Sequence, residues 1–291
     1  MKSTATILRE ALNPARPAVA MAAHSPLSAK LAEEAGFDAI WASGFELSAL
    51  HAVPDANILS LGTQLESVRA MAATVGIPVV ADIDTGFGNA VTVRYIVPQF
   101  AAAAAAAVVM EDKTFPKDSS LRADGRQHLV PVAEFQGKIE AALEGRGSSG
   151  MLVVARTEAL IAGLGQEEAL RRAEAYAEAG ADAVLIHSKQ KTPEEILAFC
   201  QAWSGRVPLV LVPTSYPQLD EAAIAALGKV GLVICGNHAI RAAVAAMRAT
   251  FARIRRERGI AGVEGEIASV QEVFELQGDA WMRGVEKRFL R

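Results

Sequence analysis

Short apolar runs recur along the chain, and longer alanine-rich segments separate them. Eight runs are almost continuously apolar, over residues 18–22, 39–42, 78–83, 107–110, 152–155, 183–186, 209–212 and 232–235. A strand with one wet face alternates polar and apolar positions, whereas a strand buried on both faces of a parallel sheet is apolar throughout. The pattern therefore predicts eight parallel strands with helices covering the sheet.

The segments between the runs have apolar positions at helical spacing. Residues 28–35, 133–143, 166–179 and 193–203 show this spacing most clearly, and a glycine that could end the helix follows two of them. No G-x-G-x-x-G turn follows the first run, so a dinucleotide-binding sheet is not indicated. Eight strands alternating with helices favour the α/β class and, within it, a (β/α)8 TIM barrel.

Helical periodicity continues after the last predicted strand, over residues 239–258 and 269–277. A barrel needs only one closing helix at this point, so additional helices need another surface to cover. We expect residues 239–291 to form an extra C-terminal helical segment that packs on a neighbouring subunit of a homo-oligomer.

Composition narrows the class of protein further. The chain has 291 residues, 51% of them hydrophobic, and a net charge of −4, which argues against disorder and leaves no basic field for nucleic acid or an anionic membrane. The longest apolar stretch, residues 101–110, is far shorter than the ~20 residues of a membrane span. The two cysteines are too few for a disulfide framework. We expect one cytoplasmic domain over residues 1–291, with no nucleic-acid or membrane partner.

Polar residues follow most of the predicted strands. They occupy positions 43–45, 82–86, 111–113, 156–158, 187–188, 213–214 and 236–238. Active sites of (β/α)8 barrels lie at the carboxyl ends of the strands, which brings all these positions to one rim. The sequence therefore predicts a small-molecule site at that rim.

Three carboxylates stand out among these residues. Asp82 and Asp84 are two positions apart at one strand end, and Glu111 ends the next strand. Acids this close repel one another unless a cation neutralises them, and a set of oxygen ligands selects Mg²⁺ or Mn²⁺. The alternative is that Asp82 or Asp84 only caps a turn or a helix.

Two substrate-binding side chains and a loop that moves are expected on the same rim. Arg156 follows a buried strand, so it is expected to clamp a carboxylate or phosphoryl group, with a structural ion pair to Glu158 or Glu111 as the alternative. His187 is expected to contact substrate, with a satisfied core histidine as the alternative. Residues 113–125 are polar and follow a strand, which favours a gating loop that closes over the substrate rather than a plain solvated loop.

Six phrases along the chain are distinctive. They are WASGFELSA, ADIDTGFGNA, VMEDKTFPK, ARTEALIAG, AGADAVLIHSKQK and GNHAIRAAV. In these phrases and their order the chain resembles the phosphoenolpyruvate mutase branch of the isocitrate lyase superfamily, from about residue 18 to residue 277. The phrases VPDANILS, TFPKDSSLR and VPTSYPQL are most similar to members of that branch that hydrolyse phosphonopyruvate.

The resemblance implies a Mg²⁺ site. It assigns direct binding of the metal to Asp82, and binding largely through water to Asp55, Asp84 and Glu111. It also gives Asp55 a part in orienting or performing phosphoryl transfer. The residues around Asp55 otherwise read as an ordinary turn.

The resemblance also implies a substrate site. The turn that grips the substrate carboxylate and the enolate oxygen would consist of Ser43, Gly44 and Phe45. Arg156 and His187 would bind the phosphonate, and Lys117 and Ser120 would lie in the gating loop. The activity implied is Mg²⁺-dependent hydrolysis of 3-phosphonopyruvate to pyruvate and phosphate.

Two departures bear on which family reaction the chain performs. Carbon–carbon lyases of the superfamily carry a cysteine as general acid in the gating loop, and residues 111–117 contain none. Mutases have asparagine where this chain has Ser119, and the hydrolase has threonine. The alternatives to hydrolysis are a phosphoenolpyruvate mutase, then another oxoacid lyase or decarboxylase, and last a non-catalytic binding barrel. The resemblance further implies a dimer or tetramer with exchanged C-terminal helices.

Overall fold

The computed structural model describes residues 2–122 and 124–291. Ala123, within the predicted gating loop, lies outside the described residues. The chain divides into two compact units, with the boundary between Ile240 and Arg241. The interpretation of the whole chain as one domain stays a prediction.

The first unit contains the predicted barrel. Its strands are β1 (Leu12–Asn13), β2 (Arg16–Ala23), β3 (Ala39–Ala42), β4 (Val79–Asp82), β5 (Ala107–Glu111), β6 (Leu152–Thr157), β7 (Ala183–Ile186), β8 (Leu209–Leu211) and β9 (Val230–Cys235). From β2 to β9 each strand pairs in parallel with the next, and β9 pairs with β2 to close the sheet. The (β/α)8 prediction is confirmed. The two-residue β1, antiparallel to β2, was not predicted.

Helices surround the barrel. They are α1 (Thr4–Ala11), α2 (Pro26–Glu34), α3 (Gly44–Leu50), α4 (Leu61–Thr74), α5 (Ala90–Ala102), α6 (Val132–Arg146), α7 (Gly165–Glu178), α8 (Glu194–Ala202) and α9 (Glu221–Ala226). The four helices predicted from periodicity correspond to α2, α6, α7 and α8. Gly36 and Gly180 follow two of them with φ of +88° and +101°, the left-handed conformation that glycine adopts at little cost.

The strands bury both of their faces, as their composition predicted. On β4, Val80 points into the barrel interior, where it packs with Val109, Val154 and small residues such as Ala20. The neighbouring positions of the strands face the helices and form two further apolar clusters. A barrel this tightly filled is a rigid frame that leaves only its strand ends for chemistry.

The second unit is helical. It contains most of α10 (His238–Glu257), then α11 (Val270–Gln277) and α12 (Asp279–Phe289). The first two helices were predicted, and α12 was not. Several large apolar side chains are exposed in this unit, among them Phe251, Phe274, Trp281 and Phe289. Within the described part of the chain, no helix combines the length and apolar character that crossing a membrane requires.

Strand register brings the predicted site residues to one level. Glu111 is the register partner of Arg156 across β5 and β6. The Glu111 N–H donates to the carbonyl of Asp84, two residues past β4, over 2.8 Å. Three predicted site residues from three consecutive strand ends therefore lie side by side.

Candidate active site

A cavity opens at the carboxyl ends of the barrel strands. It is partly open to solvent, and about 560 Å³ within and just above it is not filled by protein atoms. Its lining residues are Trp41, Ser43, Phe45, Asp55, Asp82, Lys117, Ser119, Ser120, Leu121, Arg156, His187, Val212, Thr214, Gly236 and Asn237. Of the predicted site residues, only Gly44, Asp84 and Glu111 are not among them, and each of these contacts a lining residue. The structure thus brings all the predicted site residues together.

The turn after β3 touches the acids directly. Ser43 caps α3, its Oγ accepting the N–H of Glu46 over 3.2 Å. The Gly44 N–H donates to Asp82 Oδ2 over 3.2 Å. A Cβ on Gly44 would lie 3.0 Å from Asp84 Oδ1 and 3.2 Å from Asp82 Oδ2. Glycine at this position therefore lets the two carboxylates approach the turn.

Glu46 holds this turn in place, and it was not predicted from the sequence as a site residue. Its side chain is fully buried, 2.8 Å from His24 Nδ1, and it accepts the Ile240 N–H over 3.2 Å. Glu46 thereby links the chain after β2, the turn after β3 and the start of α10. In the sequence it is only an acid in the first turn of a helix, a common arrangement that signals no function.

The carboxylates after β4 and β5 are crowded and buried. Asp82 Oδ1 accepts the Asp84 N–H over 3.1 Å, and Asp84 and Glu111 are almost fully buried. Burial raises the pKa of Asp82 to about 7, opposed by the charge of Lys117 and reinforced by that of Asp84. Burial also raises the pKa of Glu111. These acids need positive charge nearby to remain ionised together.

Lys117 supplies such charge from the gating loop. Its Nζ lies 2.9 Å from Asp55 Oδ1 and in contact with Asp84 Oδ1. Burial alone would lower the pKa of Lys117, but the carboxylates of Asp84 and Asp55 raise it well above its ordinary value. The ammonium is therefore a permanent cation among the acids.

The donor set fits a hard divalent cation. Glu111 Oε1 is buried with no hydrogen-bond partner among the described residues, whereas Asp55 Oδ1 and Asp84 Oδ1 face the Lys117 ammonium. The atoms that could bind a metal ion here are all carboxylate oxygens, the ligands that Mg²⁺ prefers. Within residues 2–122 and 124–291, no three histidine, cysteine or acidic side chains converge as a ready-made coordination sphere.

Arg156 is held by carboxylates on both sides. Its Nε lies 2.5 Å from Glu158 Oε1 and 3.3 Å from Glu111 Oε2, so both ion pairs considered from the sequence are present. Burial opposes the charge of Arg156, but these carboxylates outweigh it and raise its pKa above the ordinary value. Because Arg156 also lines the cavity, the pairs hold a charged guanidinium at the position where an anion would bind.

Ser120 joins the gating loop to this arginine. Its Oγ accepts from Lys113 Nζ over 2.5 Å and from Arg156 Nη2 over 3.0 Å, and it donates to Glu158 Oε2 over 2.5 Å. Burial of Glu158 would raise its pKa, but the charges of Arg156 and Lys113 hold that pKa well below its ordinary value. Lys113 and Glu158 form a fully buried ion pair at 3.0 Å. The Ser120 hydroxyl thus ties the loop to the charged side chains of Lys113, Arg156 and Glu158.

Asp112 braces the end of β6 and was not predicted as a functional residue. Its Oδ1 accepts the Glu158 N–H over 2.9 Å. Its Oδ2 accepts from the Tyr176 hydroxyl over 2.7 Å and from Arg172 Nη1 over 3.0 Å. Asp112 thereby fixes the main chain that carries Arg156, and no local sequence pattern announces contacts with a helix so far along the chain.

His187 is buried beside Arg156. Its Nδ1 has no hydrogen-bond partner among the described residues, and its ring lines the cavity. Burial and the charge of Arg156 lower the pKa of His187 to about 3, although Glu158 opposes the shift. The imidazole is therefore neutral at pH 7, with an unpaired nitrogen available to a ligand.

Ser119 reaches the cavity from the gating loop. Its side chain is almost fully buried. The Ser119 N–H donates to Asp118 Oδ1 over 2.9 Å, and its carbonyl accepts from Gln127 Nε2 over 3.2 Å. The main chain therefore fixes this position and leaves the side chain to the cavity.

Comparison with known proteins agrees with this geometry. Residues 8–255 match the family described as phosphoenolpyruvate phosphomutase. The chain belongs to the phosphoenolpyruvate phosphomutase family. It is 68% identical to the phosphonopyruvate hydrolase of Variovorax sp. (strain Pal2), over 98% of both chains. It is 45% identical to the phosphoenolpyruvate phosphomutase of Tetrahymena pyriformis, over 93% of this chain and 90% of that one.

A solved structure of this family is also very similar. It is a phosphonopyruvate hydrolase in complex with oxalate and Mg²⁺, with a TM-score of 0.95 and 64% sequence identity over the whole of both chains. Membership of the phosphoenolpyruvate phosphomutase family, expected from the six phrases, is therefore confirmed. The roles of individual site residues remain predictions.

The buried neutral state of His187 predicts a pH dependence of stability. Its pKa is about 3 in the folded chain, against 6.5 for an ordinary histidine. Between these values only the unfolded chain binds the proton, so stability falls as the pH drops below 6.5, by about 2 kcal/mol at pH 5. In His187→Asn this contribution should vanish, and unfolding free energies at pH 7.5 and pH 5 should differ less than in the parent chain. Identical differences in the two proteins would contradict the assignment.

Proposed function

We propose that the chain is a Mg²⁺-dependent hydrolase of the phosphorus–carbon bond of 3-phosphonopyruvate, producing pyruvate and phosphate. The observation that carries this proposal is the 68% identity to the Variovorax phosphonopyruvate hydrolase over 98% of both chains. The cavity is chemically suited to such a substrate. It presents buried acids that a cation would neutralise and, beside them, Arg156 for an anion.

The metal would be held by the acids after β4 and β5 and by the segment before α4. We assign direct binding to Asp82, and binding largely through water to Asp55, Asp84 and Glu111. Bound Mg²⁺ supplies positive charge to the oxoacid oxygens, where negative charge develops as the phosphorus–carbon bond breaks.

The chain's own residues orient the two ends of the substrate. We assign the oxoacid end to the turn formed by Ser43, Gly44 and Phe45, where an N–H group not already held by Asp82 can donate to oxygen atoms of growing negative charge. We assign binding of the phosphonate end to Arg156, His187 and Ser120. Arg156 can exchange a carboxylate partner for the phosphonate, since the transferred group needs mainly alignment and charge balance.

Bond breaking leaves two fragments that must be kept apart. The electron pair of the phosphorus–carbon bond stays on carbon and forms pyruvate enolate, which then takes a proton at that carbon. The oxygen of a water molecule bonds to phosphorus and completes phosphate. We assign Asp55 and Lys117 to aligning the phosphoryl group, and Ser119 to leaving space for the water.

A carbon–carbon lyase is a weaker candidate. The segment from Glu111 to Lys117 has no cysteine, and neither Cys200 nor Cys235 is among the residues that line the cavity. The general acid of those lyases therefore has no counterpart at this site.

Phosphorus NMR tests the activity. With phosphonopyruvate and Mg²⁺, the substrate signal should give way to inorganic phosphate, and chelation of the metal should stop the reaction because the enolate charge is no longer balanced. Asp82→Ala should lose at least about 10²-fold in rate while keeping its melting temperature. The exposed Glu264→Gln is a matched control and should react normally. A phosphoenolpyruvate signal, or full activity of Asp82→Ala, would contradict the proposal.

A mutase is the second candidate, because mutases of the family share 45% identity with this chain. In a mutase the phosphoryl group returns to the enolate oxygen instead of passing to water. We expect Ser119→Asn to cover the phosphoryl group with an amide and to lower the ratio of phosphate to phosphoenolpyruvate. Ser119→Thr keeps a hydroxyl and should leave the ratio unchanged. If Ser119→Asn gave the same ratio of phosphate to phosphoenolpyruvate as the parent chain, the size of this side chain would not decide between the two products.

We further infer a cytoplasmic homo-oligomer, a dimer or tetramer in which the C-terminal helices are exchanged. Both cysteines are free, which suits a reducing compartment. The second unit leaves Trp281 three-quarters exposed and Phe289 exposed as well. Large apolar side chains concentrated on a short helical unit favour burial against another copy.

Sedimentation velocity tests the oligomer. Trp281→Glu combined with Phe289→Glu places charges on the apolar surface and should shift the protein to a smaller species. Ala261→Glu adds the same charge at an exposed small residue and should sediment like the parent chain. A parent chain that sediments as a monomer would contradict the inference.

A further inference from the structure

Asn57 lies between a carboxylate of the metal site and the gating loop. Its side-chain Nδ2 donates to Asp84 Oδ2 over 2.8 Å. Its Oδ1 accepts the main-chain N–H of Lys117 over 2.6 Å. One amide group therefore contacts both elements at once, with its donor on one and its acceptor on the other.

The first contact fixes the orientation of Asp84. Oδ2 of that carboxylate also accepts from Gln64 Nε2 over 3.3 Å, and the Gln64 side chain is buried. Two amide donors thus occupy Oδ2 and leave Oδ1 towards Lys117 and the other acids. Partners that orient a metal ligand in this way usually contribute about 10- to 100-fold to metal affinity or activity.

The second contact fixes the gating loop at the residue that reaches the acids. The described residues around Lys117 form neither helix nor strand, so the loop depends on individual hydrogen bonds for its position. The Lys117 ammonium contacts Asp55 and Asp84, while its N–H is held by Asn57. Movement of Asp84 would disturb both ends of this lysine.

The main chain of Asn57 explains why asparagine suits the position. Its φ is +55°, in the left-handed region where asparagine is among the few side chains tolerated. Aspartate and glycine also tolerate that conformation. Both can therefore replace Asn57 without new main-chain strain, which makes a clean test available.

We propose that Asn57 is a positioning residue that couples closure of the gating loop to the occupancy of the metal site. Ligands that hold Asp84 in place keep the Asn57 amide in place, and that amide then holds Lys117. Since such coupling is reciprocal, a closed loop also favours retention of the ligands. The proposal rests on the proposed function for the identity of the ligands, Mg²⁺ and an oxoacid. Oxalate, which the related solved structure holds together with Mg²⁺, serves as the probe.

Hydrogen exchange measured by mass spectrometry tests the coupling. In the parent chain, Mg²⁺ with oxalate should slow exchange in the peptide that contains Lys117 by about tenfold, the usual size of a coupling between sites. Asn57→Asp keeps an acceptor for the Lys117 N–H but cannot donate to Asp84, so ligand-dependent protection should be lost. Asn57→Gly loses both contacts and should behave in the same way. The turnover number of both variants should fall by about 10- to 100-fold, and their melting temperatures should stay close to the parent value.

Asn13→Asp is the matched control. Asn13 is exposed and caps the main chain at Ala15, far along the chain from the site. This variant should retain full protection on ligand addition. Parent-like protection in Asn57→Asp would overturn the proposal. If that variant melts early, parent-like protection in Asn57→Gly overturns it instead. The exchange measurement does not require turnover, so failure of the proposed function would appear separately, as absence of phosphate release by the parent chain.

Discussion

Repulsion among buried acids at the barrel mouth is the constraint on which the site depends. The register of β4, β5 and β6 forces Asp84 and Glu111 together at a level where little water reaches them. Burial raises the pKa of Asp82 to about 7 even against the charges of Lys117 and Arg156, so this carboxylate is only marginally stable as an anion. Lys117 provides part of that positive charge and comes from the gating loop. Through Lys117 the predicted gating loop therefore meets the same electrostatic need that a divalent cation would satisfy.

Arg156, next to these acids, is in the opposite situation. It is a buried cation, and the carboxylates of Glu158 and Glu111 hold it in place. Its partners prevent it from being an unpaired charge before an anion arrives, and they also keep its position fixed. His187 beside it stays neutral, so it adds a hydrogen-bonding nitrogen without adding repulsion to the arginine. A cation bound by the acids and an anion bound by Arg156 would therefore lie close together in one cavity.

Much of this could be predicted from the sequence, and the limits have a physical origin. The strands were predictable because burial on both faces imposes continuous apolar runs, and Asp82, Glu111 and Arg156 were predictable because they end such runs. Asp55 was found only through the family resemblance. Asn57 and Asp112 act through partners distant in the sequence: 60 positions separate Asn57 from Lys117, and 64 separate Asp112 from Tyr176. Contacts at such separations exist only once the barrel has closed, so no local pattern encodes them.

The main chain holds Ser119 in a way that leaves its side chain free to vary. Its N–H and its carbonyl are both engaged, by Asp118 and Gln127, so the main chain at this position does not depend on the side chain. The adjacent Ser120 is fixed by the charged network around Glu158. A substitution at position 119 can therefore alter the space beside the phosphoryl group without loosening the loop. Relatives named as hydrolase and as mutase are 68% and 45% identical to this chain, and the proposed function places their difference in outcome at such a position.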